Sequence, residues 1–155
     1  MATIDELLDA TGRELSRPLR LPHQAATVAM NLFLLTQVHG LAEDPRVTAL
    51  QDRFHEALGD RSLDTVLADQ LDYASRLATA PGPLLYEEMH KLFSLADEIH
   101  ALRGLGGVAD DVRLRRFDSE LRIRLAAQAG PAHLVAEDRA EDWNRDLWWY
   151  AENLR

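Results

Sequence analysis

The chain has 155 residues, a common size for one domain, and its 26 acidic residues against 17 basic ones give a formal net charge of −9. This excess of negative charge argues against nucleic acid or an anionic membrane surface as a partner. There is no cysteine, which excludes disulfides, thiolate catalysis and zinc–thiolate sites.

The N-terminal sequence MATIDELLDA is acidic and lacks the basic and then apolar segments of a signal peptide. The most apolar run, residues 25–38, is too short to cross a bilayer and is interrupted by Asn31 and Gln37. We therefore expect a cytoplasmic protein. Lys91 is the only lysine among the 17 basic residues, and because this bias is associated with GC-rich bacterial genomes we expect a bacterial source.

Capping and breaking residues divide the chain into helical segments. Thr3 and Glu6 fit a capping box at the start of the first helix. The second helix, about residues 23–39, is apolar on nearly every side, which predicts a central buried element. The third helix follows Asp44-Pro45 and stops at Gly59, and the fourth lies between Ser62 and 79-TAPGP-83. The fifth helix ends at Gly104. The sixth runs from about Val108 to Gly130, and the seventh from Pro131 to the C-terminus.

No segment of the sequence alternates apolar and polar residues with the period of a strand. The connections between the helical segments are too short to hold a second domain. The sequence therefore predicts an all-α fold, a single helical domain over residues 1–155 with six or seven helices.

The predicted fifth helix carries two acid–histidine pairs, Glu87 with His90 and Asp97 with His100. Helical bundles use this spacing to bind two iron or manganese ions. On a helical wheel, Glu87, His90 and Asp97 share a polar face, whereas His100 falls within the apolar arc, so the two pairs point in different directions. We therefore predict no metal site within the bundle and no cofactor. Glu87, His90 and Asp97 are candidates for one surface metal, although a solvated polar face explains them better.

Three polar residues, Asn31, Glu88 and His100, fall at or near apolar helix faces. Asn31 is expected to be buried and hydrogen-bonded to a neighbouring helix, and His100 to be a core histidine. Glu88 lies about 20–40° from Leu92 and Ile99 on the wheel, and a buried carboxylate needs an arginine or histidine partner. Together they are candidates for a ligand pocket.

The predicted sixth helix contains the only concentration of basic residues in the sequence. They are Arg113, Arg115, Arg116, Arg122 and Arg124. On a wheel they spread around the helix, with acidic residues between them. This distribution favours ion pairs within the helix or with a neighbouring helix over an anion site.

The C-terminal segment carries an apolar seam at alternating four- and three-residue steps, typical of a coiled coil. Trp143 and Tyr150 belong to this seam, whereas Trp148 and Trp149 point about 120–140° away from it. Tryptophan is enriched at contact hot spots, although burial in the core would also account for both indoles. We expect this helix to contribute to a homodimer or to an interface with a protein partner, anchored by Trp148 or Trp149.

The sequence has no G-x-S-x-G nucleophile elbow and no phosphate-binding loop. It therefore favours a non-catalytic helical module that acts by protein–protein contact, and it predicts no catalytic residue. Bacterial immunity proteins, antitoxins and small regulatory subunits are similar to it in size and charge alone. The alternative is a bundle, either an enzyme or a binding protein, that binds a small molecule or a metal through His100, Glu88 and Asn31 or through the Glu87–His90–Asp97 face.

Overall fold

The computed structural model describes residues 3–127, and over this range the chain forms six α-helices and no strand, which confirms the predicted all-α fold. No helix in this range is long and apolar enough to cross a membrane. The seventh predicted helix lies outside the described residues. In chain order the helices are α1 (Ile4–Leu15), α2 (Pro22–Phe33), α3 (Pro45–Leu58), α4 (Leu63–Ala78), α5 (Tyr86–Gly104) and α6 (Asp111–Ala127).

Local capping contacts fix several of the predicted helix boundaries. The Glu6 N–H donates to Thr3 Oγ1 at 3.1 Å and the Thr3 N–H donates to Glu6 Oε2 at 3.1 Å, which confirms the capping box of α1. The Asp44 carboxylate accepts from the Arg46 N–H at 2.8 Å at the start of α3. This helix ends at Gly59, whose φ of +60° is a conformation that glycine adopts without strain.

The second helix differs from its prediction at its C-terminal end. After Phe33 the chain continues as a π-helical turn, Leu34–Val38, and the His39 N–H donates to the Leu34 carbonyl at 2.9 Å. The Thr36 hydroxyl donates to the Leu32 carbonyl at 2.8 Å within this region. The predicted central burial is confirmed, and the buried residues are Ala25, Ala26, Val28, Ala29, Leu32, Phe33, Leu34 and Leu35.

The contacts divide the described residues into two compact units. We call residues 3–70 with 98–108 the α1 unit, and residues 71–97 with 109–127 the α6 unit. Helices α4 and α5 each contribute to both units. The single domain over residues 1–155 stays a prediction.

In the α1 unit, α1 contacts α2 and α3 around a core cluster of Leu7, Leu34, Leu35 and Val47. Burying each such side chain stabilises the fold by roughly 1.5–3 kcal/mol. Close packing also explains the glycine at the end of α5. A Cβ atom added to Gly104 would overlap the ring of Phe33, so this position has no room for a side chain.

In the α6 unit, the apolar contacts come from the last two turns of α4, the first turns of α5, and α6. The buried side chains are Leu71, Ala74, Ala78, Leu84, Met89, Leu92, Phe93, Leu95, Ala96, Phe117 and Leu121. Successive residues of α5 are buried on several sides of the helix, so this helix has no broad solvated face between Leu92 and Asp97.

Candidate functional site

The three candidates for a surface metal do not share one solvated face. Glu87 and His90 are exposed, but Asp97 is 3% exposed. The prediction for Asp97 is wrong because α5 is covered on more sides than a helix with one apolar face. Over residues 3–127, no group of three histidine, aspartate or glutamate side chains could hold a metal ion.

His100 lies in the α1 unit as a half-buried histidine beside an aromatic ring. Its imidazole makes an edge-on contact with Phe33, with 5.4 Å between the ring centroids. Burial, together with the nearby positive charge of Arg103, lowers the pKa of His100 from 6.5 to about 4. The imidazole is therefore neutral at pH 7.

Neither Glu88 nor Asn31 is fully buried, and their part in a ligand pocket stays a prediction. Glu88 is half-buried in the α6 unit, and its Oε1 accepts the Leu85 N–H at 2.9 Å, which caps the start of α5. Asn31 is half-buried in α2 instead of fully buried, and its side chain makes no hydrogen bond to any residue between 3 and 127. The wheel placed Asn31 on a buried side because α2 is apolar almost all round, which leaves the angle of the exposed side undetermined.

The four interface candidates of the C-terminal segment, Trp143, Trp148, Trp149 and Tyr150, lie outside the described residues. Their role at an interface stays a prediction.

Two of the arginines in α6 form the ion pairs that the sequence predicts. Arg113 pairs with Asp72 of α4, and Arg122 Nε lies 3.1 Å from Asp118 Oδ2 one turn earlier in the same helix. Because both pairs are partly or largely exposed, each contributes little to stability.

Arg124 has a different role, which the sequence did not predict. Its guanidinium donates to the carbonyl oxygens of Ala78 at 2.8 Å, of Gly82 at 2.6 Å and of Ala80. These carbonyls belong to the last residue of α4 and to the turn that follows it, where helical partners are missing. Arg124 therefore caps α4 through a charged side chain from α6.

The α1 unit carries an open groove between α1 and α3, with a volume of about 860 Å³. Its floor is lined by Leu8 and Gly12, which are four positions apart on one face of α1, and by Ala49 and Leu50 of α3. We call this feature the α1–α3 groove. A groove between two parallel ridges of side chains is the shape that receives a third helix.

Small residues keep the floor of the α1–α3 groove open. A Cβ atom added to Gly12 would meet no neighbour within 4 Å, and Ala49 is exposed. Glycine inside a helix costs roughly 0.5–1 kcal/mol relative to alanine, and no contact within the described chain requires it here. Arg53 of α3 donates to the Gly12 carbonyl at 3.4 Å, but no atom occupies the position of a side chain at Gly12.

The rim of the α1–α3 groove is charged. It carries three arginines, Arg13, Arg46 and Arg53, and two aspartates, Asp5 and Asp9. Arg46 Nη2 lies 2.9 Å from Asp44 Oδ2, and the hydrogen bond from Arg46 lowers the pKa of Asp44. Counted with Asp44, which pairs with Arg46, the charges at the rim balance, so the rim offers partners of both signs to a charged helix.

No protein-family model, curated protein or solved structure matches the chain. A functional conclusion must then come from the chemistry of the groove, because a helical fold alone does not imply a function. The α1–α3 groove was not predicted from the sequence. A glycine in the middle of an amphipathic helix, with no capping role, is the signal that could have indicated it.

Proposed function

We propose that the protein is a non-catalytic helical module that acts through protein–protein contact, and that the α1–α3 groove receives a helix of the partner. The observation that carries this proposal is the open floor at Gly12 and Ala49, where the fold leaves space that it does not fill. Helices that dock in grooves place apolar residues at three- and four-residue steps against such a floor.

The occupant that we propose is the C-terminal segment 136–154 of a second copy of the chain. This segment carries the apolar seam that contains Trp143 and Tyr150. Residues 128–155 hold six acidic residues against three basic ones, so this segment can supply carboxylates to Arg13 and Arg53 at the rim of the groove. The acidic residues are Glu137, Asp138, Glu141, Asp142, Asp146 and Glu152, and the basic ones are Arg139, Arg145 and Arg155.

A second copy is favoured over a contact within one chain by the two indoles outside the seam. On the helical wheel of the predicted seventh helix, Trp148 and Trp149 fall away from the seam, so both indoles would need further apolar cover, which a dimer interface supplies. In a two-fold symmetric dimer each groove–helix contact occurs twice, so the buried area doubles without any new surface.

The test of the groove is the change Ala49→Leu, which adds bulk to the floor. We expect the dimer to dissociate at least about tenfold more readily, because a filled floor excludes the helix. The matched control is Thr48→Leu, which adds similar bulk to the neighbouring exposed position of α3, outside the groove. Oligomeric mass over a range of concentrations is measured by sedimentation, with folding checked by circular dichroism.

The test of the occupant is oligomeric mass for Trp148→Ala and Trp149→Ala. Burying a large side chain is worth roughly 1.5–3 kcal/mol, so loss of the anchoring indole should weaken the dimer at least about tenfold. A folded wild-type protein that is monomeric at every concentration contradicts the proposal. So does an equal effect of Ala49→Leu and Thr48→Leu.

A further inference from the structure

The α6 unit contains a second groove, between the last turns of α4 and the first turns of α6, of about 340 Å³. We call it the α4–α6 groove. Leu71 and Phe117 contribute to its lining and are 2% and 4% exposed, so they form an apolar floor. The volume lies within the range of small-molecule sites and is too small for a helix.

Three arginines line the α4–α6 groove, Arg76 from α4 and Arg113 and Arg116 from α6. Asp72 neutralises Arg113 through an ion pair. Arg76 and Arg116 are exposed and have no carboxylate partner among residues 3–127. Two like charges on one small groove repel each other, and an anion between them would relieve this repulsion.

The hydroxyl groups of the groove are already bound within the protein. Ser75 donates to Glu120 Oε2, and Thr79 Oγ1 donates to the Ser75 carbonyl at 2.8 Å. The donors left for a ligand are therefore the guanidinium groups. Guanidinium binds carboxylate and phosphate oxygens in pairs through its planar arrangement of N–H groups, which an ammonium group cannot do.

We propose that the α4–α6 groove binds a small molecule that carries one carboxylate or phosphate group on an apolar body. Arg76 and Arg116 bind the oxyanion, and the apolar body lies on Leu71 and Phe117. The protein's charge of −9 opposes non-specific anion binding, so binding here requires these local groups. The site belongs to a different unit from the α1–α3 groove and does not depend on the proposed dimer.

The experiment titrates the full chain with phenyl phosphate and, separately, with benzoate, followed by calorimetry or by NMR chemical shifts. We expect at least one of the two to bind with a dissociation constant on the order of 1 mM or lower, as for small, well-placed ligands. The tighter probe identifies the oxyanion. Benzyl alcohol, which lacks the charge, and inorganic phosphate, which lacks the apolar body, should each bind at least about tenfold more weakly.

The variants Arg76→Gln and Arg116→Gln should each weaken the tighter probe about tenfold, because each removes a charged hydrogen-bond donor. The matched control is Arg115→Gln, an exposed arginine of the same helix outside the groove, which should change binding less than about twofold. No binding of either probe overturns the proposal, and so does an equal loss in all three variants. Equal binding of benzyl alcohol overturns the role of the charge, and equal binding of inorganic phosphate overturns the role of the floor.

Discussion

The α1–α3 groove and the α4–α6 groove are both open, but different residues keep them open. In the first groove, the small residues Gly12 and Ala49 leave an unfilled space of about 860 Å³. Arg76 and Arg116 leave the second groove, of about 340 Å³, with an excess of charge over an apolar floor. The difference indicates what each lacks: a partner helix would supply bulk to the first, and an anion would supply charge to the second.

The largest effect that we expect tests how the wall of the α4–α6 groove is held. Arg124→Ala removes charged donors from the carbonyls of Ala78, Ala80 and Gly82 and should lower the free energy of unfolding by about 2–3 kcal/mol. Urea denaturation measures this change. The control Arg122→Ala, which breaks an exposed pair within α6, should cost less than about 0.5 kcal/mol. Equal costs for the two variants would show that Arg124 does not hold this wall.

The second prediction contrasts Gly104, which has no room for a side chain, with Gly12, which has room for one. Gly104→Ala should lower the free energy of unfolding by about 1–3 kcal/mol, because the added methyl group overlaps the ring of Phe33. Thermal and urea unfolding measure the loss. Adding Phe33→Leu to Gly104→Ala should make the combined cost smaller than the sum of the single costs. Strict additivity would mean that the two positions are not in contact.

The third prediction concerns pH in the same closed region. The native pKa of His100 is lowered to about 4, so the native state stays neutral while the unfolded state takes up a proton near pH 6.5. The neutral His100 therefore makes its full contribution to the free energy of unfolding above pH 6.5. This contribution is lost as the pH falls toward 4. After allowance for solvent screening at a half-buried site, the loss between pH 7 and pH 5 is about 1 kcal/mol.

Urea unfolding at several pH values measures the loss from His100, and His100→Gln should flatten this part of the pH dependence. An unchanged slope in His100→Gln would assign the titration to other groups. It would also weaken the contrast between the packed region around Phe33 and the two open grooves.

The smallest effect tests the open floor directly. Gly12→Ala should raise the free energy of unfolding by about 0.5–1 kcal/mol, because alanine favours the helix and its Cβ meets no neighbour within 4 Å. The change is read from the urea midpoint at one protein concentration. A loss of stability comparable to that of Gly104→Ala would mean that Gly12 is also packed, and the comparison of open and closed positions would fail.

The helix boundaries could be predicted because capping is local in sequence. Thr3, Asp44 and Gly59 act on residues within one turn, so the pattern contains the whole interaction. The burial of Asp97 and the capping by Arg124 depend on residues brought in from other helices. A helical wheel assumes one core direction, which fails for α5 because several of its sides are covered.

Neither groove could be predicted as a site. Gly12 and Ala49 line one groove from two different helices, and Arg76 and Arg116 line the other in the same way. Their meeting depends on how the helices pack, which the spacing within one helix does not encode. The sequence shows a glycine inside a helix and an arginine-rich helix, but it does not show where these residues lie relative to other helices.

The π-helical turn Leu34–Val38 has a consequence for the length of the chain. Its hydrogen bond from His39 to Leu34 spans one residue more than an α-helical bond, so the turn accommodates an extra residue within a helix. Deleting one residue inside this turn would restore α-helical bonding without changing the register of Pro22–Phe33 before it. Homologous chains that differ in length by one residue between Phe33 and His39 could therefore retain the same fold.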